Sequence, residues 1–135
     1  MKVKILVIDD EESIRFSFHR FLAAEGHRVI TAKGYREALA RMDEMEFELI
    51  LAGIFLEDGW GIDILRDVKH RNLKTRVIIM TAYPSSETAQ ESFGMHALDY
   101  LSKPLGQEGL VNSVNKALQQ MERGEDEGSD PVGKA

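Results

Sequence analysis

Two carboxylates stand side by side at Asp9-Asp10, directly after the apolar run 3–8, and Glu11 and Glu12 follow them. Acids between a strand and a helix suit the positive end of the helix dipole, so on spacing alone Asp9 and Asp10 read as a solvated cap and first-turn pair. Three more positions end apolar runs: Thr81 after 76–80, Lys103 before Pro104, and Gly53, with no side chain, after 49–52. Singly, Thr81 is an ordinary β-branched strand end and Lys103 an ordinary surface lysine. Their value lies in the set, which strand ends could gather at one edge of a sheet. No nucleophile–base pair stands out, which argues against a hydrolase. The first strand–helix turn, Asp9-Asp10-Glu11-Glu12, has no glycine-rich phosphate cradle and would repel an anion, which argues against a nucleotide or flavin binder. His19, His27, His70 and His96 show no paired ligand spacing.

These residues need elements to position them, and the pattern supplies five. Apolar runs at 3–8, 47–52 and 76–81, a weaker one at 27–32 carrying Val29 and Ile30, and a short one at 98–101 read as strands, the run at 47–52 buried on both faces. Between them Ile14, Phe18, Phe21 and Leu22, then Ala38, Leu39 and Met42, then Ile62, Leu65 and Val68 recur at helical spacing. Gly26 reads as a helix stop, Gly34 as a helix start, and Pro84-Ser85-Ser86-Glu87 as another start. The helix after Pro84 is weakly apolar, with only Ala89 and Phe93. Leu110, Val111, Val114, Ala117, Leu118 and Met121 mark a long last helix. Strict alternation means βαβ units, right-handed crossovers and a parallel sheet. In such a sheet the working crevice lies beyond the carboxyl ends of the strands, where Asp9, Gly53, Thr81 and Lys103 all fall. Residues 54–61, with Gly59 and Gly61, read as a loop.

The chain of 135 residues fits one domain, residues 1–123, with 124–135 read as a disordered tail or the start of a linker. A net charge of −6 with no Lys/Arg tract argues against direct nucleic-acid or anionic-membrane binding. The absence of cysteine excludes disulfides and thiolate metal sites. No run approaches the roughly 18 apolar residues of a membrane span, so a cytoplasmic domain is expected.

Asp9-Asp10-Glu11 after Ile-Leu-Val-Ile, Thr81-Ala82-Tyr83 after Ile-Ile-Met, and Asp99-Tyr100-Leu101-Ser102-Lys103-Pro104 together resemble the receiver domain of bacterial two-component response regulators, over about residues 2–122. The resemblance implies a flavodoxin-like (βα)5 three-layer sandwich with parallel strand order 2-1-3-4-5. It implies a signalling module rather than an enzyme. Receivers take a phosphoryl group from a histidine kinase onto an aspartate at the third strand's end, and that chemistry is mostly positioning plus charge neutralisation. By resemblance Asp9 and Asp10 would hold Mg²⁺ with the carbonyl of Phe55, and Lys103 and Thr81 would contact the phosphoryl oxygens. Tyr100 would be the switch aromatic, and the Lys103–Pro104 bond would be cis. Partners would dock on the face of residues 85–122, the domain being a monomer or weak dimer.

The departure is Gly53, which stands where receivers carry the acceptor aspartate. Glycine cannot form an acyl phosphate. Three carboxylates facing Lys103 would leave a local charge of −2; Asp9 and Asp10 alone leave −1, so Mg²⁺ should bind weakly or not at all. Asp58 is a poor substitute acceptor, five residues on in the loop. Glu57, Trp60 and His96 also replace the family's frequent Pro, Asp or Asn, and Gly. Two readings stay open: an atypical receiver working through protein contacts without phosphorylation, and a conventional Asp-phosphorylated regulator carrying an Asp→Gly change.

Overall fold

The computed structural model describes residues 2–124. Apart from Gly124, the expected tail lies outside them. The elements are β1 (Lys4–Ile8), α1 (Glu12–Ala24), β2 (Arg28–Ala32), α2 (Tyr35–Glu44), β3 (Leu49–Gly53), β4 (Phe55–Leu56), β5 (Gly59–Trp60), α3 (Ile62–His70), β6 (Arg76–Thr81), α4 (Ser86–Gly94), β7 (Asp99–Ser102) and α5 (Gln107–Glu122). Five parallel strands form one sheet in the order β2-β1-β3-β6-β7. Counting only those five, this is 2-1-3-4-5, as expected. Residues 54–61 are not simply a loop: β4 and β5 pair antiparallel, Phe55 opposite Trp60. Two-residue strands leave no hydrophobic period to read.

Strand alternation builds a core on each side of the sheet. Leu6, Ile8, Ile50, Ala52, Val77 and Ile79 pack with α2 and α3. Ile5, Val7, Leu49, Leu51, Ile78 and Met80 face the other way, against Phe18 and Leu22 of α1 and Leu110, Val114 and Leu118 of α5. The interiors of the middle strands, 5–8, 49–52 and 77–80, are therefore apolar on both faces. α4 fits its weak pattern, with Ser92 its one buried residue, and Ser85 caps it by accepting from the Thr88 N–H at 3.1 Å. Among the described residues no helix is long and apolar enough to cross a membrane.

His27, only 7% exposed, closes the start of β1: its Nδ1 accepts from the Val3 N–H at 3.1 Å. Burial, and secondarily the charge of Lys2, lowers its pKa. The folded state thus prefers neutral imidazole, while the unfolded chain takes up a proton near pH 6.5. Stability from this residue is present above that pH and is lost as pH falls toward the lower folded value. The expected outcome is a denaturation midpoint that drops between pH 7 and pH 5, with a shallower drop in His27→Gln. Equal slopes in the two proteins would show that His27 is not the group responsible.

Candidate functional site at the strand ends

Asp9 leaves β1 tied to its neighbour, its N–H donating to the Ala32 carbonyl at 3.1 Å. Its side chain is 1% exposed and both oxygens are engaged. Oδ1 accepts from the Glu11 N–H at 2.9 Å, and Oδ2 from Lys103 Nζ at 2.8 Å. The Arg15 guanidinium donates to the Asp9 carbonyl at 2.7 Å. Lys103 arrives from the other end of the chain, its backbone N–H on the Thr81 carbonyl at 2.8 Å and its peptide to Pro104 cis. Its ammonium also lies 3.5 Å from Glu11 Oε1. Thr81 is buried, and its hydroxyl accepts from the Tyr83 N–H at 3.0 Å.

Gly53 ends β3 opposite Met80 of β6. A Cβ built there would stand 3.2 Å from Asp9 Oδ2 and 3.5 Å from the Ile8 carbonyl oxygen. Any side chain at 53 therefore enters the same ring as Asp9 and Lys103. Asp10, beside it, is largely exposed; the partial desolvation of its carboxyl first, and the Asp9 charge second, raise it above the usual range. Oxygens of Asp9, Asp10 and Glu11 lie within 4.8 Å of one another, a grouping of the kind a metal ion uses. Phe55 is half exposed on β4, its ring edge-on to Tyr83 with centroids 6.4 Å apart.

The family model of the response regulator receiver domain matches residues 5–115. The chain belongs to that family. It is 39% identical over 116 residues to the transcriptional regulatory protein ZraR of Escherichia coli, covering 86% of this chain and 26% of that protein. It is 33% identical to the E. coli regulatory protein AtoC, over 86% and 25% respectively. It thus spans about a quarter of these relatives' length. Among solved structures, the chemotaxis protein CheY4 of Vibrio cholerae superposes with a TM-score of 0.81 at 28% identity, covering 87% of this chain and 99% of that one. The beryllofluoride-activated NtrC4 receiver domain dimer gives 0.81 at 32% identity, over 87% and 97%. This receiver is a two-component signalling module of flavodoxin-like fold.

Two features of the receiver were not legible in its sequence. Asp58 is a cap for α2: its oxygens accept from the Tyr35 N–H at 2.7 Å and the Arg36 N–H at 3.0 Å, and these bonds hold its carboxyl below the usual range. Gly34, the residue before α2, has no side chain to cap with, and a Cβ there would lie 2.5 Å from Asp58 Oδ1. That missing cap was the available signal. The Tyr35 hydroxyl continues the link to α3, donating to Asp67 Oδ2 at 2.5 Å; burial, with Asp67 second, pushes its pKa up to about 12. Asp58→Ala should cost about 1 kcal/mol, as loss of a helix cap does, and loosen the hairpin beside Gly53. Unchanged urea unfolding would remove the cap assignment.

The second feature is the seat of Tyr100. Its hydroxyl accepts from the Ser85 N–H at 3.1 Å and shares a proton with Thr88 Oγ1 at 2.6 Å, while its ring lies 6.5 Å from that of Phe93. The phenol is tied to the start of α4, not to Thr81.

Proposed function

We infer that this receiver signals through protein contacts without an acyl phosphate at residue 53. One observation carries the reading: the position facing Asp9 and Lys103 at the end of β3 is glycine, and its Cβ vector points 3.2 Å from Asp9 Oδ2. Receivers are phosphorylated on an aspartate at that strand end, so the residue able to form the bond is missing. Asp9, Asp10 and the Phe55 carbonyl correspond to the family's Mg²⁺ ligands, and Lys103 and Thr81 to its phosphoryl contacts.

The donor set fits a divalent ion poorly. Mg²⁺ prefers near-octahedral hard oxygen and keeps several waters. Here the one buried carboxylate already holds Lys103 Nζ and the Glu11 N–H, and Gly53 adds no oxygen. The Lys103 ammonium neutralises Asp9 in place of a metal. Output runs through the face of α4, β7 and α5, residues 85–122, toward a histidine kinase or another signalling protein in the cytoplasm. Tyr100, clasped by Ser85 and Thr88, links that face to the sheet. A partner shifts the domain only by binding one of its states better.

The test is exposure to radiolabelled acetyl phosphate with Mg²⁺, in the native sequence and in Gly53→Asp. No hydroxylamine-labile label is expected on the former; label on the latter would mean that the rest of the phosphorylation machinery is intact, and its absence that the site has drifted to other work. Label on the native sequence would sink the proposal. The survival of Asp9, Thr81 and Lys103 around Gly53 favours a second reading, a conventional regulator carrying an Asp→Gly change, and an unlabelled Gly53→Asp would remove it. Trp60 fluorescence of the native sequence should show no saturable change at millimolar Mg²⁺. In EDTA at neutral pH, Gly53→Asp should unfold more easily: its carboxylate crowds Asp9 and Asp10, outweighing the roughly 0.5–1 kcal/mol that replacing an ordered glycine returns. A midpoint that rises in EDTA would contradict the crowding.

A further inference from the structure

Four helices end in the same left-handed turn, and they do not end it with the same residue. α1 and α5 use Gly26 at φ 93° and Gly124 at φ 70°. α3 and α4 use Asn72 at φ 59° and His96 at φ 70°, the two non-glycine residues at positive φ among those described. At both, the hydrogen bonds are those of a Schellman cap: Asn72 N–H to Lys69 carbonyl and Leu73 N–H to Val68 carbonyl, both 3.0 Å, then His96 N–H to Phe93 carbonyl and Ala97 N–H to Ser92 carbonyl. Glycine would fill either position with less strain. Asn and His take this conformation more readily than most side chains do, and these two line one groove.

The groove, about 620 Å³, lies between the carboxyl ends of α3 and α4 and the start of β6, at the opposite end of the sheet from Gly53. Half-exposed Leu73 and Met95 contribute apolar surface. Its rim carries Lys69, Lys74 and His96, and no acidic residue lines it; Asp43, Glu44, Glu46 and Glu48 line the adjoining groove, which shares Leu73 and Lys74 with it. Neither lysine ammonium has a partner among the described residues. The Schellman bonds cover the helix-end carbonyls that would otherwise repel an anion. A domain of net charge −6 keeps a positive, partly apolar groove here.

We propose that this groove docks an acidic, leucine-bearing segment of a partner protein, with carboxylates on Lys69, Lys74 and His96 and apolar side chains on Leu73 and Met95. Charge complementarity selects the occupant, and the apolar floor favours a peptide over nucleic acid. The proposal is independent of what happens at Gly53.

The test is fluorescence anisotropy with a labelled peptide of alternating Glu and Leu, its Gln-for-Glu counterpart, and a labelled single-stranded oligonucleotide. Saturable binding of the Glu peptide is expected, weakened about tenfold by the double variant Lys69→Glu, Lys74→Glu, since screening limits each rim charge to a modest share. His96→Gly separates packing from recognition: its thermal midpoint should rise while peptide binding weakens. Equal affinity for the Gln peptide, no loss in the double variant, or tighter binding of the oligonucleotide would each overturn the proposal. So would binding that appears only after residues 125–135 are removed, which would give the groove to this chain's own Glu125-Asp126-Glu127. Self-association abolished by the double variant would give it to a second copy.

Discussion

Gly61→Ala is expected to unfold this domain or nearly so, with a loss of about 3 kcal/mol or more, at or beyond the upper end of overpacking costs. Gly61 has φ −58° and ψ −29°, a conformation any residue adopts. Torsional strain is therefore not the reason for glycine; space is. A Cβ there would stand 1.8 Å from the Gly53 carbonyl oxygen, 2.7 Å from its carbon and 3.1 Å from the Ile54 Cα. All three are backbone atoms of the segment leaving the central strand, so no side chain can swing aside. The Gly61 N–H donates to the Ile54 carbonyl at 2.7 Å, and Ile54 donates to Met80 of β6 at 3.0 Å, so relief means breaking one or both. Total stability of domains this size is about 5–15 kcal/mol, which leaves little margin. The control is Gly109→Ala in the first turn of α5, where a Cβ meets only Leu105 Cδ2 at 3.4 Å; that change should be neutral or stabilising, by at most roughly 0.5–1 kcal/mol. Chemical denaturation of both variants reads the difference. A Gly61→Ala protein as stable as the parent would mean that the hairpin is not anchored on Gly53.

That close approach also shows where the sequence stops being readable. Leu6, Ile8, Ile50 and Ala52 announce buried strands because the runs 5–8 and 49–52 are apolar without a break, and Phe18 with Leu22 announces a helix face because the period is local. The five-stranded order came with the receiver resemblance, whose motifs at Asp9, Thr81 and Lys103 are strand-end residues that the sheet gathers. What no local pattern carries is a bond across the fold. Asp58 caps α2 from 22 and 23 residues away, Tyr35 reaches Asp67 over 32, and Tyr100 reaches back 12 and 15 to Thr88 and Ser85. The β4–β5 hairpin has strands too short for any period to register. His96 was visible as a departure from glycine, but its positive φ and its groove were not.

Lys103→Met should be the most damaging charge removal in the domain, at about 3–5 kcal/mol, the range for stripping one partner from a buried ion pair. Lys103 is 11% exposed and Asp9 1%, so their 2.8 Å contact is nearly dry. In the variant Asp9 keeps only the Glu11 N–H, and Arg15 faces its carbonyl, not its carboxylate. The carboxylate is then left buried without a counter-ion, and that costs folding energy. Adding Asp9→Asn to Lys103→Met should restore at least half of the loss, because an amide keeps an acceptor for the Glu11 N–H and leaves no charge to bury. The double-mutant cycle isolates the pair from its surroundings. Additive single effects would mean that Lys103 stabilises by packing its stem over the sheet end, and the ammonium would then have no claim to the place a metal takes in other receivers.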